Sequence, residues 1–416
     1  GGRVELAVWG TGFGITNGIF LAAVGDGGEK AYALSDETHA ERPADRRREQ
    51  RGVTTMSNRA PGDTTRASDM LISEIHWQDP LTKTYLGSPS IVRIPAGQPG
   101  EGALLATHDY FGSECPRNMY GAENLTSLYR SDDDGRTWRN LRHIPDAWWS
   151  TLFAHDGAIY LLGVSASNEH IVIRRSDDGG YTWTAPRDES TGILFRGGPG
   201  TTPPNYHCAP VPVVVHNGRI WRAFEDAYSP LAWYVCVISA PVDADLLDAE
   251  NWTMTEKFSF DKARTPEYAD LRTLLMEGNV VPGPDGTLWN VLRFNVGTVI
   301  NTAAFVRIVD EHTLSFDYDN GFVEVPGARS KFTIRRDPVG GRYWIISNDQ
   351  KPGPHCLARN SLSLHSSPDL KTWTHHRVLL HDDLISDPDK SAELTGFQYA
   401  DWQFDERPDG RGDIIY

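Results

Sequence analysis

Three residues carry side chains suited to moving protons beside an acidic group. His108 stands in Thr107-His108-Asp109-Tyr110-Phe111-Gly112. An imidazole there can act as general base or acid near neutral pH, and Asp109 could orient it. The alternative is a structural histidine hydrogen-bonded in a loop. Further on, Asn205-Tyr206-His207-Cys208 is followed by Trp221-Arg222-Ala223-Phe224-Glu225. Tyr206 can deliver or accept a proton, and the Arg222 fork can neutralise a carboxylate. The alternative is an Arg–Glu pair beside a packed aromatic. Candidate substrate-binding residues are Asp109, His207, Glu225, Glu277, Asn279, Arg293, Lys331, Asn348 and Arg359. The last six stand at the ends of strand-like runs. Singly each suits a structural role, but together they would ring a polar, partly basic cleft. His207-Cys208 and His355-Cys356 could supply ligands to a structural zinc or calcium ion, a weaker pattern than a spaced ligand motif. The chemistry itself requires no cofactor.

For such residues to converge, short strands must end around one axis. Residues 88–95, 103–112, 158–164, 211–215, 233–239, 288–293 and 343–348 form largely apolar runs with polar ends. Inner strands buried on both faces have this character. The turns between strands repeat. Ser131-Asp132-Asp133-Asp134-Gly135-Arg136-Thr137-Trp138 and Ser176-Asp177-Asp178-Gly179-Gly180-Tyr181-Thr182-Trp183 share Ser-x-Asp-x-Gly-x-Thr-Trp. Ser366-Ser367-Pro368-Asp369-Leu370-Lys371-Thr372-Trp373 is an eroded third copy. Asp and Ser side chains can bond backbone groups inside a hairpin turn, and Gly supplies a positive φ. The copies lie about 45 and about 190 residues apart, near multiples of one unit, as in a propeller of four-stranded blades. The expected fold is all-β: a β-propeller of seven blades, or six, since the chain from Leu71 onward divides into roughly seven units of ~47 residues.

Composition agrees with many turns and few helices: 416 residues include 39 Gly, 26 Pro and 13 Trp. The net charge of −16 argues against a nucleic-acid partner, which would need a basic face. An acidic glycan is still compatible, because a cleft can be locally basic. The four cysteines, Cys115, Cys208, Cys236 and Cys356, form no CxxC pair, so free buried thiols are expected rather than a disulfide scaffold. No run reaches the ~18 apolar residues that span a membrane. Residues 1–55 differ from the rest and are expected to be a disordered or non-native leader before Met56. Residues 56–416 then form one propeller domain that lacks its C-terminal closing strand. The apolar stretch at Gly18–Gly25 precedes the basic run Arg46-Arg47-Arg48, the reverse of a signal peptide. A monomer, in the cytoplasm rather than secreted, is the expectation.

The octad resembles the Asp-box (BNR) repeat of the sialidase superfamily of β-propellers. Sialidases also carry an Arg-Ile-Pro motif, and Arg93-Ile94-Pro95 is present here, although Ser88 or Gly87 stands where their arginine would fall. A closer likeness is to propeller polysaccharide lyases and glycosidases acting on rhamnose–uronate linkages: ulvan lyases, rhamnose–glucuronate lyases and related rhamnosidases. It is carried by Ser88-Pro89-Ser90-Ile91, His108-Asp109-Tyr110-Phe111-Gly112, Tyr206-His207, Trp221-Arg222-Ala223-Phe224-Glu225 and Phe397-Gln398-Tyr399-Ala400-Asp401-Trp402. The resemblance implies a base and an acid at His108 and Tyr206, with Arg222 neutralising a uronate carboxylate. Ser88 occupies the place of a second histidine that several of the lyases use. Three functions follow as expectations. The first is cleavage of an acidic, rhamnose-linked glycan by β-elimination or hydrolysis. The second is an exo-sialidase, which needs three convergent arginines and a Tyr–Glu nucleophile pair. The third is a non-catalytic glycan- or protein-binding propeller.

Overall fold

The computed structural model describes residues 3–10, 18–24, 71–405 and 414–415, apart from short gaps at 116, 119–120, 123, 167–168, 199–201, 230–231, 269–270 and 272. The chain is all-β, with one short α-helix at Pro388–Leu394 among the described residues. Five antiparallel blades follow one another along the sequence, at residues 85–145, 148–195, 206–259, 273–324 and 333–381. Their innermost strands begin at Tyr85, Trp148, Tyr206, Thr273 and Thr333.

A further sheet joins the two ends of the chain. Phe397–Asp401 pairs antiparallel with Arg3–Gly10, which pairs in turn with Gly18–Val24, and that with Leu71–Trp77. Most of the region expected to be a leader, and of the C-terminal stretch expected to miss a closing strand, lies outside the described residues. Its described strands are those just named together with Phe404–Asp405 and Ile414–Ile415, the latter parallel to Arg3–Gly10. The buried Asp401 ties this sheet to both neighbours. Its Oδ2 accepts from Ser90 Oγ at 2.9 Å and Ile91 N at 3.2 Å, and its Oδ1 from Arg335 Nη2 at 3.2 Å. Repeat spacing predicts seven equivalent units, or six. The strands instead give five blades of continuous chain plus the end-joining sheet. The difference comes from unequal units: the first blade runs from 85 to 145 because a separate ribbon, Arg117–Asn118 with Gly121–Ala122, is inserted in it.

The first two octads build the same turn, and the third builds a shorter version without glycine. In the first, Asp133 accepts from Thr137 N at 2.8 Å, Thr137 Oγ1 at 2.6 Å and Ser131 Oγ at 2.8 Å, while Ser131 Oγ accepts from Gly135 N at 2.8 Å. Asp178 and Ser176 repeat every one of these bonds in the second. Asp369 keeps those from Thr372 and Ser367 in the third. Trp138 and Trp183 each donate Nε1 back to the turn glycine's carbonyl, at 3.1 and 3.0 Å. Gly180 has φ +90, and a Cβ there would press into Leu105 of the preceding blade. Turn chemistry and inter-blade packing therefore select the same residue. Between the blades, apolar faces interdigitate; one cluster joins the second and third blades through Leu162, Ile173, Tyr206, Phe224 and Ile238. All four cysteines are free and buried.

One irregularity recurs on the inner strands. Ser88, Trp149, Glu277 and Tyr399 have φ of 52, 50, 55 and 59. Each sits at a break in strand register. A β-bulge kinks its strand and re-aims a side chain, and bulges gather beside active sites. A non-glycine residue in this region costs roughly 1–3 kcal/mol, so four at equivalent places mark one end of the channel.

Candidate active site at the bulged end of the channel

Glu277 and Tyr399 come from inner strands of the fourth blade and the end-joining sheet. Their bulges turn them together: the Tyr399 hydroxyl donates to Glu277 Oε1 at 2.7 Å. Arg293 lies opposite Met276 on the next strand of the fourth blade and donates Nη1 to Glu277 Oε2 at 2.8 Å. Burial opposes charge on Glu277, but the Arg293 guanidinium and the Tyr399 hydroxyl outweigh it and hold the carboxyl below its ordinary range. Burial and the Glu277 charge together push the Tyr399 phenol upward, so the proton stays on tyrosine. The product is a neutral hydroxyl aimed at an ionised base.

Two further guanidinium groups crowd this pair. Arg329 donates to the Gly297 carbonyl from Nε and Nη2, at 3.3 and 3.0 Å, and its own carbonyl accepts from Arg293 Nε at 2.9 Å. Arg359 donates to the Gln398 side-chain oxygen. Burial and the charges of Arg293 and Arg359 push Arg329 down to about 10. Arg359 is lowered by burial and then by Arg293. Of the three, Arg293 has a carboxylate partner, while Arg329 and Arg359 bond neutral oxygens. The local field is positive, in a chain whose net charge is −16, and suits an anionic ligand.

A second dyad stands beside the first. His207 Nδ1 and Glu225 Oε2 are 2.8 Å apart. Glu225 Oε1 accepts from the Gly278 backbone N–H at 3.4 Å, next in sequence to Glu277. Gly278 must lack a side chain, because a Cβ would collide with Asn290. Trp149 and Trp233 bracket the His207 ring, with centroids 4.4 and 4.5 Å away.

Of the sequence candidates, Glu277, Arg293, Arg359, His207 and Glu225 gather here. His108 lies wholly buried in the first blade, stacked on His76 and Tyr129, and burial, reinforced by His76, holds its imidazole down to about 3. Asp109 is buried beside it, accepting from Thr126 Oγ1 at 2.6 Å and Trp149 N at 2.7 Å. The Tyr206 ring packs in the inter-blade cluster against Phe195, with Lys257 Nζ 5.3 Å from its centroid. Arg222 is fully buried, donating Nη2 to Thr151 Oγ1 and to the Ala209 carbonyl, both at 2.9 Å. No hydrogen bond among the described residues links His108, Tyr206 and Arg222. Asn279, Lys331 and Asn348 hold strands together. Asn279 accepts from Ile334 N at 3.0 Å, Lys331 donates to the Ala400 carbonyl at 2.7 Å, and Asn348 to that of Phe397 at 2.6 Å. Arg93 points elsewhere and pairs with Asp134 at 3.1 Å.

Among the described residues no group of three or more His, Cys, Asp or Glu side chains could hold a metal ion. His207 bonds Glu225, and His355 bonds Asp389 at 2.7 Å. No helix among the described residues is long and apolar enough to cross a membrane. Sequence reasoning missed Tyr399, Arg329, Gln398, Trp149 and Trp233. One signal pointed to the site: Glu277 and Arg293 are 16 residues apart, a step that fits two neighbouring strands of one blade.

No protein-family model matches the chain, and no curated protein matches it. Solved structures do. An α-L-arabinofuranosidase from Fusarium graminearum is similar at 13% identity and TM-score 0.47, over 71% of this chain and 82% of that one. An α-L-arabinanase from Penicillium chrysogenum is similar at 16% identity and TM-score 0.46, over 79% and 91%. A Hadza microbial sialidase is similar at 16% identity and TM-score 0.46, over 71% and 58%.

Proposed function

We propose that the chain is a glycosidase for a terminal acidic sugar, of the exo-sialidase kind, with Tyr399 as nucleophile and Glu277 as its base. The single observation that carries this is the Tyr399–Glu277–Arg293 chain of hydrogen bonds. Most retaining glycosidases attack with a carboxylate, and sialidases with a tyrosine. A neutral phenol suits a reacting carbon that itself bears a carboxylate, because an anionic nucleophile would meet like charge there. Glu277 takes the phenol proton as the bond to sugar forms. Arg359 and Arg329, with Arg293 behind them, supply a binding surface for the sugar carboxylate, since guanidinium forks match carboxylates.

Ser88 occupies the equivalent bulge of the first blade, so Arg329 and Arg359 hold the acid without help from that strand. The reading thus favours hydrolysis at Tyr399 over elimination at His108, whose imidazole is enclosed. The test is a fluorogenic sialoside beside uronate-containing glycans, including ulvan and gum arabic. Fluorophore release that disappears in Tyr399→Phe supports the proposal. Ultraviolet absorbance from an unsaturated uronate, retained in Tyr399→Phe, would replace it with a lyase.

A further inference from the structure

A tyrosine nucleophile needs a partner that protonates the departing sugar oxygen. Such acids are usually carboxyl groups, yet both carboxylates beside Tyr399 are already engaged. Glu277 bonds Tyr399 and Arg293, and Glu225 bonds His207 and Gly278. The remaining titratable tip is the His207 ring. Its Nδ1 is fixed by Glu225. Its Nε2 forms no hydrogen bond with the described residues, and it is not among the fully enclosed side-chain atoms left without a partner. Nε2 is therefore not fully enclosed, on a side chain that is 10% exposed overall. Trp149 and Trp233 clamp the ring, so its direction is set by packing as well as by Glu225. Glu225 also accepts from the Gly278 N–H, next in sequence to Glu277, which sets the two dyads side by side.

We infer that His207 is the general acid and base of this site, oriented by Glu225, and that the histidine–glutamate dyad stands in for the usual carboxylic acid. The inference rests on the reading of Tyr399 as nucleophile. In the first step the Tyr399 oxygen bonds the anomeric carbon as the carbon–oxygen bond to the leaving group breaks. The phenol proton goes to Glu277, and the His207 Nε2 proton goes to the leaving oxygen. In the second step water attacks the anomeric carbon and gives its proton to His207 Nε2, while Tyr399 departs and recovers its proton from Glu277. Glu225 acts through His207 and is a positioning residue. Trp149 and Trp233 pack against the ring and shield it from water.

The test separates leaving groups. Wild type, His207→Gln, Glu225→Gln and Tyr399→Phe are assayed on an aryl sialoside whose phenol departs without help, and on a sialyl disaccharide whose alkoxide needs a proton. Loss of a general acid costs about 10²–10⁴-fold. His207→Gln should lose that much in kcat/KM on the disaccharide and less than about tenfold on the aryl sialoside. Glu225→Gln should show the same selectivity, smaller in size. Equal losses on both substrates, or none, would overturn the role of His207. Tyr399→Phe reports separately: activity retained in it refutes the nucleophile whatever His207→Gln does. A folded wild type that turns over neither substrate overturns the two readings together.

Discussion

The Tyr399 hydroxyl and the Glu277 carboxylate meet at 2.7 Å across 122 positions of sequence. They come from different sheets, and each backbone is left-handed where the side chain departs, with φ of 59 and 55. Two independent bulges thus aim at one point. Backbone cost at both places is the mark of a site held by its surroundings.

Tyr399→Phe removes only the hydroxyl and leaves the ring in its place. Turnover of an acidic glycoside should fall by more than about 10⁴-fold, the scale seen when a nucleophilic unit is broken. KM should change little, because Arg329 and Arg359 remain. Glu277→Gln should cost nearly as much, with the phenol bonded to an amide that takes no proton. Initial rates with both variants check this. A Tyr399→Phe rate within tenfold of wild type would count against the assignment.

How much of this could be read from the sequence differs by level. The octads announced the blades, because the Asp and Ser bonds that define the Ser-x-Asp-x-Gly-x-Thr-Trp turn lie within the motif. Blade number was less legible, since inserted segments such as the 117–122 ribbon stretch the units unevenly. Glu277, Arg293, Arg359, His207 and Glu225 were all visible as polar strand ends. Tyr399 was not, although its motif was noted, because nothing local shows that its strand reaches the fourth blade. His108 drew notice as a histidine beside an aspartate, but the chain gives no local sign that His76 and Tyr129 enclose it.

Arg359 and Arg329 should act on binding rather than turnover. Both feel the charge of Glu277 and bond neutral oxygens. Arg359→Gln removes a cation without uncovering a buried carboxylate. The expected result is a rise in KM for the acidic substrate of about 10–100-fold, corresponding to the ~1.5–3 kcal/mol of a hydrogen bond to a charged group. The kcat should stay within a few fold. Wild-type KM should rise with ionic strength, as screening weakens a positive cleft, and the variant's should rise less. A kcat loss larger than the KM change would point instead to a role in chemistry.

The buried histidine of the first blade predicts the acid limb of stability. His108 has an ordinary value of 6.5, held down to about 3 by burial and by His76. Between those values the unfolded chain takes up a proton that the folded chain refuses. The contribution to stability is therefore full above pH 6.5 and falls as pH drops towards 3. His365, held down to about 4 by burial and by His375, has the same sign. Asp109 has the opposite sign: burial pushes its carboxyl up to about 8, so the fold loses stability as pH rises from 3.8 towards 8. Asp109→Asn should therefore be more stable than wild type at pH 9, by about 1–3 kcal/mol. The amide oxygen can accept from Trp149 N, and the amide nitrogen can donate to Thr126 Oγ1, which donates in turn to the Ala147 carbonyl at 2.7 Å. Urea midpoints across pH, for wild type, His108→Gln and Asp109→Asn, check both signs.

The octad turn predicts a stability loss that leaves the candidate site untouched. Asp178 accepts three bonds: Thr182 N at 2.8 Å, Thr182 Oγ1 at 2.6 Å and Ser176 Oγ at 2.9 Å. Asp178→Ala abolishes all three, but the partners are near solvent and water can replace part of the loss. About 1–3 kcal/mol of destabilisation is expected. Gly180→Ala should cost more, because φ is +90 and the new Cβ would press into Leu105 across the blade interface. Neither residue touches Tyr399, Glu277 or the arginines in any described contact, so kcat and KM should hold at a temperature where the variants remain folded. Urea unfolding paired with initial rates measures both quantities. A lowered kcat in Asp178→Ala, with stability unchanged, would mean that the turn communicates with the channel instead of holding two blades together.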